Sequence, residues 1–227
     1  FEEFLSRLDN TTALNIGFMV GHSALRRTVM GERAVGHKAT DAEIAAMQAL
    51  LRVSLKAGGM GFSSTINVSH NDAEGQPVPS RHASHEELIA LASVIRDFEG
   101  TTLEFLPIIG DVFPPEQLEL LAGLSKAANR PLNWNVLIPN SRRRDMYDSQ
   151  LAASDYAAAR GGRVVPLVAA QVNTTWVNFL SGFIIDMYPG WNELFMMSPV
   201  ERIKALSDPA WRRQLAEGAS SSKAGLR

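Results

Sequence analysis

Apolar and polar positions along this chain follow two alternating patterns. β-rich apolar runs occur at about Leu14–Val20, Gly59–Thr65, Thr102–Ile108, Leu132–Ile138 and Val164–Ala169. Between them lie segments whose apolar residues recur at spacings of three and four, the signature of an amphipathic helix. The clearest has Thr40 as N-cap with Glu43 three residues on, followed by Ile44, Met47, Leu51 and Leu55, and it stops at Gly58 and Gly59. The same grammar repeats with Ser84 and Glu87 ahead of Leu88, Leu91 and Ile95. Pro114 and Pro115 open a third helix bearing Leu118, Leu121 and Leu124, and an alanine-rich segment from about Arg142 to Arg160 ends at Gly161 and Gly162.

Strand and helix alternate at intervals of about 30 to 46 residues, without a hairpin dipeptide between strands. That predicts βαβ units, parallel strands in sequential order and right-handed crossovers: an α/β fold. Periodicity alone leaves two architectures open, a doubly wound sheet or part of an eight-fold barrel. After Ala169 the pattern changes to an aromatic stretch with Trp176, Phe179, Phe183, Tyr188 and Trp191, then one helix across PVERIKALSDPAWRRQL. The reading is a single domain over residues 1–217 with a flexible tail over 218–227.

Composition narrows the class without naming a function. At 227 residues, 45% hydrophobic and 20% charged, the chain is long enough for a substantial core. A net charge of −2 with interspersed signs supplies no field for nucleic acid or anionic lipid. No apolar run of roughly 18 residues is present to cross a membrane, so a cytoplasmic address is the default expectation. Zero cysteines exclude disulfides, thiolate nucleophiles and thiolate metal ligands within this sequence. The sequence starts at Phe1 rather than methionine and reads as processed, trimmed or part of something longer.

Candidate chemistry gathers where strands end, because parallel sheets collect ligand sites at the carboxyl ends of their strands. His22 follows the first apolar run directly, placed either to touch a ligand or to hold the turn through its ring nitrogens. Arg26 and Arg27 follow it. Ser63 and Ser64 end the second run and begin a long polar connection to Arg81 that includes His70 and Asp72. Arg81 lies between Pro79 and a helix start, suited either to grip a carboxylate or to pair with Glu86 or Glu87. Glu104, Asn133 and Asn135 interrupt strands that should be apolar, and either form an inward functional network or bond only one another. Gln171 and Asn173 would face the same rim. The glycines of GGMGFSS stand at a helix end rather than a helix start, so they do not form a phosphate cradle. No G-x-S-x-G, H-E-x-x-H or Walker motif is present.

The set GHSALR, the helix–Gly-Gly–strand passage ending GFSS, and PSRHAS followed by EEL resembles the N-acyl-D-amino-acid deacylase (D-aminoacylase) branch of the amidohydrolase superfamily. The resemblance is strongest from about Leu14 to Ile95. It implies a TIM-type (β/α)8 barrel of which this chain supplies about five units, and hydrolysis of a non-peptide C–N bond in an N-acyl amino acid. It also implies zinc as cofactor, with a His-x-His pair expected before Phe1 and an aspartate after Arg227. Two further family histidines align near Leu106 and near Asn135 or Val136, and none of these is histidine here. The implied partners are a small amide or N-acyl amino acid, and the remaining parts of a parent chain or a second copy. His22, Ser63, Ser64, Arg81, Asn133, Asn135 and Gln171 are the expected substrate contacts; no catalytic or metal-ligating residue is assigned.

Overall fold

The computed structural model describes residues 1–72, 75–109, 111–139, 141–169, 174, 176–180, 182 and 185–221. After a short α1 (Glu2–Ser6), the chain runs β1 (Val20–Gly21), α2 (His22–Met30), α3 (Asp41–Lys56), β2 (Gly61–Thr65), α4 (His85–Val94), β3 (Thr102–Leu106), α5 (Pro115–Ala128), β4 (Leu132–Trp134), α6 (Arg144–Ala158) and β5 (Val164–Pro166). All five strands are parallel and lie in the order β1-β2-β3-β4-β5. The helices pack in the same succession, α3 on α4, α4 on α5 and α5 on α6. This is the sequential βα repeat of a barrel wall, and it excludes the strand reversal of a doubly wound sheet.

Each element has a local cause. Thr40 caps α3 by accepting from the Glu43 N–H at 3.3 Å while Glu43 reaches back to the Thr40 N–H at 2.8 Å. Gly61 has φ +151°, and a Cβ there would lie 2.0 Å from the Thr102 carbonyl oxygen, so only glycine lets β2 approach β3 at this point. One side of the sheet (Val20, Phe62, Leu103, Phe105, Leu132, Trp134 and Val164) meets helix residues such as Met47, Leu51, Leu88, Leu91 and Leu121 in a single core. Each fully buried leucine of this kind contributes about 1.5–3 kcal/mol relative to exposure.

The strands are shorter than the apolar runs that announce them. Leu14 and Ile16 are exposed, and at the first run only Val20 and Gly21 pair with β2. The far ends of the later runs, at Ile108, Ile138 and Val168, also leave the sheet and are exposed.

Contact density divides the chain into two units where the sequence suggests one domain over 1–217. The first comprises residues 1–67 and 78–170, the second 68–77 and 171–227. The second holds α7 (Trp191–Phe195), α8 (Pro199–Ser207) and α9 (Pro209–Ser220), and in α8 Arg202 is a buried guanidinium with no acidic partner among the described residues. It donates to the carbonyls of Leu194, Phe179, Leu180, Phe195 and Met197. The single helix expected over PVERIKALSDPAWRRQL is two, because Pro209 has no N–H and turns the preceding residue to extended backbone. Asp208, at ψ 124°, caps α9 by accepting from the Ala210 N–H at 2.8 Å. Helix α9 continues to Ser220, past the point at which a tail was expected, and residues 222–227 lie outside the described residues.

Candidate functional site

The parallel register sorts polar strand residues onto two faces. Ser63, Glu104, Asn133 and Val165 are aligned across β2, β3, β4 and β5, with Gly21 of β1 completing the row. They alternate with the core residues and therefore occupy the face turned away from the helices. Asn135, just beyond β4, extends the pairing through its N–H to the Phe105 carbonyl at 3.0 Å. Its side-chain Nδ2 donates to Glu104 Oε1 at 2.6 Å. A carboxylate only accepts, so this bond also fixes which way the Asn135 amide points. Asn133 stands beside Glu104 in register. All of Ser63, Glu104, Asn133 and Asn135 are partly buried.

On the helix side a second polar group is fully enclosed. His22, at the first position of α2, is 1% exposed, with Nδ1 2.8 Å from Ser64 Oγ and Nε2 2.8 Å from Glu87 Oε1. Glu87 also accepts from Arg26 Nη1 at 2.6 and 2.5 Å, and Arg26 donates onward to the carbonyls of Ala34 and His37. Because the carboxylate accepts, His22 Nε2 carries the proton, and Nδ1 takes the Ser64 hydroxyl hydrogen. Burial dominates His22 and pushes its pKa below the ordinary value, more than Glu87 raises it, so the ring is neutral. Burial pushes Glu87 up, but hydrogen bonds from His22 and Arg26 outweigh it and hold the carboxyl below its usual range.

His22 and Ser64, both expected as substrate contacts, bond each other on the helix side of the sheet. Both ring nitrogens of His22 are engaged, and Ser64 points into the layer beneath the helices rather than along the row that carries Ser63. Arg81 sits half-buried in a short 3-10 turn, Pro79–His82, tied to α2 by the Ser23–Ser80 hydroxyl pair at 3.0 Å. Glu87 is committed to His22 and Arg26. Gln171 and Asn173 lie outside the described residues. His70 and Asp72 belong to the second unit, where Asp72 Oδ1 accepts from the Gln76 N–H at 2.8 Å.

Sequence reasoning missed the roles of Arg26 and Glu87. Ser84 does cap α4, accepting from the Glu87 N–H at 3.2 Å, but the Glu87 side chain turns inward instead of completing the box. The signal available was the pairing of GHSALRR with EEL, two cations and two carboxylates in segments that follow the first apolar run and open a predicted helix.

A model of the amidohydrolase family matches residues 3–198. The chain belongs to that family. It is 47% identical over 64 residues to an N-acyl-D-aspartate deacylase of Alcaligenes xylosoxydans xylosoxydans, an alignment covering 28% of this chain and 12% of the relative. Among solved structures it resembles a D-aminoacylase at 27% identity and TM-score 0.54, over 72% of this chain and 32% of the other. An N-acyl-D-glutamate deacylase from Bordetella bronchiseptica, solved with zinc and a phosphonate inhibitor, shares the fold at 22% identity and TM-score 0.50, again covering 72% and 32%. The chain thus spans about one third of the solved relatives and one eighth of the curated one. With five sequential parallel strands, it is part of a TIM-type barrel of the D-aminoacylase kind.

A D-aminoacylase relative is described with a binuclear metal centre. Among the described residues here, no three His, Asp or Glu side chains are grouped to hold a metal ion. The inner row offers one carboxylate, one hydroxyl and two amides, and His22 has no free nitrogen. That donor set does not fit zinc, which takes imidazole, thiolate and carboxylate ligands.

Proposed function

We propose that this chain forms the middle of an amidohydrolase barrel that cleaves the amide of an N-acyl amino acid. The observation that carries the reading is the registered polar row Ser63–Glu104–Asn133, joined by Asn135, on the non-helical face of a D-aminoacylase-like parallel sheet. An amide ligand needs both a donor and an acceptor, and this row supplies a hydroxyl, two carboxamides and a carboxylate. In this reading the row orients the acyl-amino acid, and Arg81 meets its carboxylate with a planar fork. Hydrolysis consumes water and releases a carboxylic acid and an amine; no step of it is assigned to a metal on these strands.

The test is amine release from N-acetyl-D- and N-acetyl-L-amino acids by the full natural chain, with and without a chelator. Arg81→Ala should weaken binding of a carboxylate-bearing ligand about ten- to a hundred-fold while leaving the fold intact. Unchanged binding, or an unfolded variant, would remove Arg81 from the site. The row's poor fit to zinc favours a second reading: a non-catalytic relative that binds an amide or amino-acid ligand. Saturable binding without turnover, whatever metal is supplied, would select it.

A further inference from the structure

Glu104 is the one charged residue in any of the five strands. Its carboxylate is partly withdrawn from water on the inner face, and among the described residues it makes no ion pair. Asn135 engages Oε1 alone. A carboxylate offers about four lone-pair positions, so among the described residues most of its accepting capacity on the inner side of the sheet is unspent. The same fold treats its other interior carboxylate differently: Glu87 is matched by the guanidinium of Arg26 and the ring N–H of His22. In that enclosed cluster the chain supplies the counter-charge from within. Glu104 has a neutral carboxamide instead, which holds the carboxylate in place without cancelling its charge.

We infer that Glu104, oriented by Asn135, is a recognition site for the positively charged group of the ligand, an ammonium or guanidinium carried by the amino-acid part of an N-acyl amino acid. Ser63 and Asn133, its neighbours in register on either side, add neutral hydrogen-bonding groups beside the same carboxylate. The anionic row favours a basic side chain and disfavours an acidic one by like-charge repulsion. It therefore sets a charge preference opposite to the one in the name of the N-acyl-D-aspartate deacylase that this chain matches over 64 residues. The assignment rests on the hydrolase reading only for the acyl-amino-acid scaffold; recognition of the cation can be measured by binding alone.

The experiment compares N-acetyl-lysine, N-acetyl-leucine and N-acetyl-aspartate, both enantiomers of each, on the purified full natural chain. Turnover and calorimetric binding are both measured, with Glu104→Gln alongside. The lysine derivative is expected to be preferred over the aspartate derivative by at least about 10-fold. Glu104→Gln should lower the lysine-to-leucine ratio by about 10- to 100-fold, the effect of losing one charge-assisted hydrogen bond. Circular dichroism and metal content should stay as in the parent. Preference for aspartate, or a ratio unmoved by Glu104→Gln, overturns the inference. Loss of metal in Glu104→Gln overturns it too, by making Glu104 a ligand to the ion. Binding of the lysine derivative without turnover, abolished in Glu104→Gln, supports the inference while removing the hydrolase reading. Turnover of the leucine derivative with no preference for lysine does the reverse.

Discussion

On β2, Ser64 gives its hydroxyl hydrogen to a buried histidine beneath the helices, whereas Ser63, one residue earlier, stands in a row of polar groups on the opposite face. The two side chains are chemically identical, and the strand's period of two sends them into different surroundings. On the helix side the enclosed ion pair is answered: Glu87 accepts from Arg26 and from the neutral His22 ring inside a layer that excludes water. On the inner side Glu104 is answered, among the described residues, by an amide. The lesson is that a polar residue in a strand identifies a site only when its partners are known, since the enclosed cluster and the open row look alike in sequence.

The sharpest way to break this comparison is to remove one carboxylate from each side. Glu87→Gln leaves Arg26 buried without a counter-charge and should cost about 3–5 kcal/mol in urea unfolding. Glu104→Gln, on the partly buried face with no paired cation among the described residues, should change stability by no more than about 0.5 kcal/mol. Equal losses would show that both carboxylates are structural.

Acid separates the two sides next. His22 is held neutral, with its folded pKa below the unfolded value of about 6.5. The unfolded chain therefore binds the proton first, and stability present above about pH 6.5 is lost as pH falls toward the folded value. Glu87, also depressed, adds a second loss that begins below the ordinary glutamate pKa of about 4.3 and runs down through its folded pKa. Unfolding free energies measured across pH 4–8 should decline from the helix-side cluster, and His22→Gln should flatten the portion near pH 6. An unchanged profile in that variant would mean that the ring does not carry the acid sensitivity.

The smallest effect sets the two serines against each other. Ser64→Ala deprives His22 Nδ1 of its donor and should cost about 0.5–1.5 kcal/mol, while Ser63→Ala should stay within about 0.5 kcal/mol. In ligand binding the order should invert, with Ser63→Ala weakening affinity and Ser64→Ala leaving it nearly as before. A Ser64→Ala variant that is stable yet binds poorly would make Ser64 a ligand contact.

Much of the architecture follows from the sequence alone, because it depends on periodicity and on local stop signals. Alternating β runs and capped amphipathic helices, with Thr40 and Glu43 as the plainest cap, determine five parallel strands with helices between them. Asn133 and Asn135 could be placed on one face by counting in twos, while the alignment of Glu104 with them needed the register of β3 on β4. What counting could not decide is where a strand stops, since pairing needs a neighbour: the first run yields only Val20 and Gly21. Nor could it decide which polar groups close on one another. Glu87 lies 65 residues from His22 and 61 from Arg26, and its cap-like position after Ser84 suggested a local partner. Only the packing of α2, α4 and β2 brings the three together, because an enclosed ion pair exists where the fold removes water, and sequence spacing carries no record of that.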